Sequence, residues 1–431
     1  MKIQDKNHPI HVERDINIHL ENKKVSMHFF WFIWIIYAVI SMTKNCFSAA
    51  LADIVADGIM DLTQTELITS MFYVVYTPMQ IVGGIMSDRY SPERLLKIGL
   101  IGGAVANAVI FFFSGNYTVM MVTWLANAAI QFGVWPSIFK IISSQCARSE
   151  RPKMLFYISL SYSAGLFMSY GLGALLTDWR MNFSISAVAL ILLVVALHFY
   201  DKHIEKYMIW DREPEPQAAE NGKAKKPIGT FSLFLSSGFF LMIIIIIMRD
   251  SFGTIVRRIA ATMLNEVFAV DTSIGNLMSM LIVGTSIVGF VIVREMLQHN
   301  ILKNLVLGII GGFVIATVIA VWFLFADTVS ANVITMCLMA GIATATSLFT
   351  NIINSMYAKY GKNATAAGLA NAASACGYAA PLLTAVLKEQ TGTWTSVKIV
   401  LIAVAAIAVI TSLVLLPVYT RFKRREEENG I

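Results

Sequence analysis

Residues 29–52 read FFWFIWIIYAVISMTKNCFSAALA, twenty-four positions with a single charge, Lys44. A helix that must satisfy its backbone inside lipid needs about 20 mostly apolar residues to cross the hydrocarbon core, and this stretch supplies them. Eleven further blocks of the same kind follow, at 65–86, 95–114, 117–143, 155–177, 182–200, 231–256, 272–293, 304–326, 332–357, 364–387 and 396–418. Edges read this way hold to about three residues. The prediction is an all-α membrane protein with twelve transmembrane helices. Composition agrees: 57% of residues are hydrophobic, 14% are charged, and mean hydropathy is +0.67. Those values exclude an ordinary soluble domain and a disordered chain alike. Cys46, Cys146, Cys337 and Cys376 lie within or at the ends of the blocks, so no disulfide framework is indicated.

The tail 1–28 has mixed charge, and the first block begins later and runs longer than a signal peptide's apolar core, so helix one is expected to be retained. Residues 201–228 carry six basic and six acidic side chains with Pro214, Pro216 and Pro227, the pattern of a solvated connector. It separates two six-helix halves, 29–200 and 229–419, leaving a C-tail at 420–431. Two pseudo-symmetric six-helix bundles are the architecture of major facilitator transporters. With both termini on one side, 25 of the 33 lysines and arginines fall there. Five, Arg180, Arg257, Arg258, Lys388 and Lys398, fall on the other. The positive-inside rule then puts both termini in the cytoplasm, in a cell (inner) membrane. The net charge of +6 reflects this asymmetry rather than nucleic-acid binding.

Three cations remain inside the blocks: Lys44, Lys140 and Arg249. A charge near the bilayer centre costs roughly 2.5–3.5 kcal/mol even on insertion scales, so it calls for a partner, water or a ligand. Lys44 lies sixteen residues into helix one and Arg249 nineteen into helix seven, the first helices of the two halves. Pseudo-symmetry would set them at equal depth across one cavity, an anion site, unless Arg249 is satisfied by Asp250 or Lys44 snorkels. Lys140 is close enough to a helix end to reach the headgroups. Polar stripes at helical spacing add Tyr37, Ser41 and Ser48 beside Lys44, then Thr344, Ser347, Asn351 and Asn354, then Asn371, Ser374 and Tyr378. Interhelical hydrogen bonding is the alternative for each stripe alone. Asp250 is expected to point away from Arg249 and to be the only acid well inside the helices, a candidate for coupling.

The loop after helix two reads Gly84-Ile85-Met86-Ser87-Asp88-Arg89-Tyr90-Ser91-Pro92-Glu93-Arg94. It resembles the signature loop of the major facilitator superfamily. The resemblance implies that Gly84 permits close helix approach and that Asp88, Arg89 and Arg94 gate the cytoplasmic face. The corresponding loop of the second half, Val293-Arg294-Glu295-Met296, lacks the aspartate, which makes the lock one-sided. Within that superfamily the chain resembles the organophosphate:phosphate antiporter family over roughly 29–420. The carriers of that likeness are Tyr37…Lys44 with Phe47, Gly133-Val134-Trp135-Pro136, Tyr162 to Gly165, Met248-Arg249, and Thr365-Ala366-Ala367-Gly368…Gly377-Tyr378. It implies that cations at 44 and 249 grip a phosphate. Lys44 stands where the family has arginine, Tyr162 where it has a histidine, and Gln80 where it has a lysine, so the site is less positive than the family's.

All seven histidines lie in tails, loops or helix ends, and neither a Walker loop nor a His/Cys cluster with metal-ligand spacing is present. No enzyme and no cofactor is expected. The expected function is secondary transport of a small, sugar-phosphate-like organic anion by alternating access, exchanging for phosphate or driven by a coupling ion. Lys44, Arg249, Tyr37, Gln80, Tyr162, Asn351 and Tyr378 would form the site. The rivals are a proton-coupled symporter of sugar acids or carboxylates, and a non-transporting membrane sensor. A monomer in the bilayer is expected.

Overall fold

The computed structural model describes residues 16–20, 22–147, 149–212, 230–299, 304–360 and 363–428. The first half contains α1 (Lys23–Lys44, resuming as Cys46–Ala56), α2 (Leu62–Arg89), α3 (Pro92–Phe112) and α4 (Tyr117–Ile130, resuming as Val134–Lys140). It ends with α5 (Arg151–Leu175) and α6 (Arg180–Ile204). The second half contains α7 (Phe239–Phe268), α8 (Thr272–Gln298), α9 (Leu305–Leu324) and α10 (Val329–Ser355). It closes with α11 (Asn363–Tyr378, resuming as Ala380–Thr391) and α12 (Thr395–Glu428).

Helix starts follow local chemistry. Asn22, Asn116, Asp271, Asn304 and Thr328 each accept a hydrogen bond from an otherwise unpaired N–H of the first turn, and Asp61 with Gln64 forms a reciprocal capping box. Among the described residues, eleven helices are long and apolar enough to span a bilayer. The twelfth crossing is α5, 25 residues long and more polar because Ser161, Ser169 and Tyr170 are buried against other helices. Leu175, Phe112, Phe325 and Phe199 stand exposed on the outer surface, where lipid rather than water suits them. The halves meet along α5 with α8, and α2 with α11.

The seventh crossing departs from its expected limits of 231–256. A separate short helix, Thr230–Ser236, ends before Gly238, whose φ of 77° breaks the run, and α7 continues to Phe268. Arg257 and Arg258 are therefore inside a helix and not in a loop beyond it. Two adjacent arginines mimic a helix end when their partners are not visible in sequence. A second departure lies outside the bundle. Ile16–Leu20 (β1) and Met208–Arg212 (β2) pair antiparallel, Ile16 opposite Arg212 and Leu20 opposite Met208, tying the tail to the start of the connector. The alternation Ile16, Ile18, Leu20 has the period of a strand, but five residues are too few to stand out beside the long apolar blocks. Residues 1–15 and 213–229 lie outside the described residues.

The expected close approach at Gly84 is displaced by one residue. A Cβ on Gly84 would meet open space, whereas one on Gly83 would collide with the carbonyl of Phe132. That carbonyl lies in the 3-10 turn Gln131–Gly133 interrupting α4, and it accepts a hydrogen bond from the Gln80 amide at 3.3 Å. Gly83→Ala is thus expected to destabilise the protein by roughly 1–3 kcal/mol through overpacking, and Gly84→Ala to leave it unchanged. Thermal melting of the two purified variants in detergent checks this; equal melting temperatures would contradict the contact.

Candidate functional site

A cavity of about 560 Å³ lies between the halves. From the first half α5 contributes Leu160, Tyr162, Ser163 and Leu166 to its wall. From the second half α7 contributes Arg249, Asp250, Gly253 and Arg257, α10 contributes Thr344, Ser347 and Asn351, and α11 contributes Asn371, Ser374 and Tyr378. Thr344, Ser347 and Asn351 of the α10 stripe and all three residues of the α11 stripe thus face one lumen, where Asn351 and Asn371 are solvent-exposed, whereas Asn354 is buried and does not line it. Asn351 lies near the end of α10 on the side of the chain termini, so the cavity reaches toward that side. A larger cleft of about 750 Å³ at the opposite end is lined by the second half alone and cannot serve a path between halves.

The halves are stitched together at the end opposite the termini. Thr63 donates from its backbone N–H and hydroxyl to Glu389 at 2.9 and 2.6 Å. Arg258 pairs with Glu66 at 2.9 Å and donates to Thr69 at 3.0 Å. The Tyr170 hydroxyl donates to the Arg257 carbonyl at 3.0 Å, and the rings of Tyr73 and Tyr378 meet at 4.8 Å. Arg258 and Glu66 are only 5% and 2% exposed, so each depends on the other for charge compensation. Glu66 corrects the expectation that Asp250 is the only acid well inside the helices.

Arg249 and Asp250 also differ from their expected arrangement. Adjacent on α7, their side chains turn toward each other. Nε and Nη2 of the arginine donate to the two carboxylate oxygens at 2.9 and 2.6 Å, and Nη1 donates to Thr350. The rotation between successive residues is offset by side-chain reach, and the gain is a two-point ion pair where water is scarce. Arg249 is the eleventh residue of the thirty in α7, because that helix starts later than expected.

The other expected members are dispersed. Lys44 does not line the cavity; its ammonium donates to the Tyr76 hydroxyl at 3.0 Å and lies 4.3 Å from that ring's centre. Tyr37 packs its ring on Trp135 at 5.0 Å, and Gln80 serves the α4 backbone. Ser48 reaches a smaller pocket that Arg257, Tyr162 and Tyr378 also line. Lys140 donates to the carbonyl of Ser87 at the end of α2 rather than running out to the headgroups. Arg89 and Arg94 are exposed at the signature loop, and the side chain of Asp88 lies outside the described residues. Arg257 is the site residue that sequence reading missed, for the reason that misplaced the end of α7.

A substrate-sized chamber at the meeting of two six-helix halves, closed at one end by inter-half bonds, accompanies a family match. The model of the Major Facilitator Superfamily matches residues 33–381. The chain belongs to that superfamily. Its relatives are of the organophosphate:phosphate antiporter family. The membrane sensor protein UhpC of Escherichia coli is 26% identical over 194 residues, 44% of this chain and 42% of that protein. A probable hexose phosphate transport protein of Chlamydia trachomatis is 25% identical over 191 residues, 43% and 42% of the two chains. The matched stretches span about two fifths of these relatives. A bacterial homologue of the human lysosomal transporter Spinster shares the fold, with a TM-score of 0.66, 16% identity, and coverage of 93% of this chain and 96% of that one. The chain is a multi-pass membrane protein of a transporter fold rather than an enzyme.

Removing Glu66 should loosen the sealed end. Glu66→Gln leaves Arg258 buried without its counter-ion, a cost of about 3–5 kcal/mol to this conformation. Labelling of a cysteine placed at Thr254, buried one turn before Arg258, is expected to rise from the side opposite the termini. A folded Glu66→Gln protein with unchanged labelling would show that the pair does not hold the seal.

Proposed function

We propose that the chain is a secondary active transporter of a small organic anion, working by alternating access in the inner membrane. The observation that carries this reading is the polar, arginine-bearing cavity built from both halves and closed at one end. Rocking of the halves, 29–200 against 229–419 about the connector 201–228, would expose the same chamber to the other side. The excess of lysine and arginine on the termini side supports a cytoplasmic position for both termini, so the chamber faces the cytoplasm in this conformation. In this reading Arg249, Tyr162, Tyr378 and Asn351 form the binding surface, and Lys44, behind Tyr76, adds positive potential from the first half. Tyr37 and Gln80 hold the helices that carry it. The loop from Gly84 through Asp88, Arg89 and Arg94 closes the cytoplasmic face in the opposite state, and Asp250 couples through its hold on Arg249. The name of the chlamydial relative favours a phosphorylated sugar as substrate, with phosphate as one candidate counter-anion.

A second reading, a ligand sensor that does not transport, is favoured by the relative named a membrane sensor protein. Proteoliposomes separate the two. A transporter accumulates labelled hexose phosphate or sugar acid, and Arg249→Gln lowers uptake roughly 10–100-fold, the value of a charged hydrogen-bonded contact. Saturable binding of those anions without uptake would instead establish the sensor, and normal uptake by Arg249→Gln would remove that arginine from the site.

A further inference from the structure

Helix α7 brings three guanidinium groups into the packed bundle, and two are neutralised. Arg249 is held by Asp250 and Arg258 by Glu66. Arg257 lines the main cavity and carries no ion pair among the described residues. Its guanidinium lies back along the helix over Gly253, where an added Cβ would stand 3.0 Å from Nη1 and 3.1 Å from the Cβ of Ala343. A side chain at 253 would therefore crowd the group that glycine admits. The backbone at Arg257 is tied to the other half through its carbonyl and the Tyr170 hydroxyl. Beside it, the buried hydroxyl of Thr254 has no partner and faces the smaller pocket that Arg257, Tyr162 and Tyr378 also line. Depth points the same way. Lys44 lies twelve residues before the distal end of α1 at Ala56, Arg257 eleven before the end of α7 at Phe268, and Arg249 nineteen. By this count Arg257, with its ion-paired neighbour Arg258, stands nearer the level of Lys44 than Arg249 does.

We propose that Arg257 receives the charged group of the substrate in this conformation, and that the cavity selects an anion bearing one negative charge on a hydroxylated body. The inference rests on the organic-anion reading above and narrows it: a hexose phosphate would enter as its monoanion, the form present below its second pKa of about 6. The charged groups in the cavity wall are Arg249, Asp250 and Arg257, a net of one positive charge. A single negative charge balances it; a second would be buried without compensation and would have to draw Arg249 away from Asp250. Ser347, Asn351 and Asn371 offer hydrogen-bonding groups to hydroxyls on the remainder of the ligand.

Glucose 6-sulfate and glucose 6-phosphate separate charge from shape. At pH 8 the first carries one negative charge and the second nearly two, since a phosphate monoester's second pKa is about 6. Titration calorimetry on the purified full-length protein should show the sulfate binding roughly ten-fold more tightly. Arg257→Gln should weaken the sulfate roughly 10–100-fold, the loss of one charged contact, with Arg257→Lys recovering part of it. Asp250→Asn adds one positive charge without altering Arg257, so it should turn the preference toward the phosphate, and it keeps the test open even if Arg257→Gln does not fold. Equal sulfate binding by folded Arg257→Gln, or a phosphate preference in the unaltered protein, overturns the inference and leaves the transporter reading standing. Failure of the unaltered protein to bind either sugar ester or gluconate overturns both.

Discussion

The cost of holding charge away from water governs this structure. An uncompensated ion in a low-dielectric interior is penalised by several kcal/mol, and α7 brings three guanidinium groups into the bundle. Each is accommodated differently. Arg258 reaches across to Glu66 and in doing so fastens the halves together. Arg249 turns to its own neighbour, Asp250, and donates a further bond to Thr350. Arg257 has neither arrangement among the described residues and lines the cavity between the halves. The seal, the held pair and the open cation are three solutions to one electrostatic problem, spaced along a single helix.

Much of the fold is legible in sequence because lipid leaves few options. A span of about 20 apolar residues with its backbone bonds satisfied internally declares itself without knowledge of its neighbours. The connector between halves and the bias of lysine and arginine are visible for the same reason. What escapes is whatever depends on a partner distant in sequence. Arg257 and Arg258 look like a helix end until Glu66, 192 residues earlier, is seen beside Arg258. Gln80 reads as a cavity residue until the 3-10 turn at Gln131–Gly133 presents it with a free carbonyl.

The candidate site was legible in part. The stripes on α10 and α11 follow helical spacing and, Asn354 excepted, face one chamber, together with Tyr162, Arg249 and Asp250. The stripe on α1 is no less regular, yet Tyr37 packs on Trp135 and Ser41 is buried. Periodicity identifies which residues share a face, but the tilt and rotation of the helix decide whether that face meets water or another helix. Helix breaks matter for the same reason. α1 is interrupted at Asn45, directly after Lys44, and α11 between Tyr378 and Ala380, so polar side chains sit where the helices change course.

The guanidinium of Arg257, without an ion pair among the described residues, has an electrical consequence. In a carrier of anions, the empty form must take that positive charge through a state closed at both ends, whereas the occupied form takes it already screened by its ligand. Desolvation therefore makes reorientation slower when the chamber is vacant, which biases the cycle toward one-for-one exchange even without a dedicated counter-ion site. A charge that shifts across the membrane field also does work, about 2.3 kcal/mol per elementary charge per 100 mV for a full crossing. The vacant return is then the step on which membrane voltage acts most strongly.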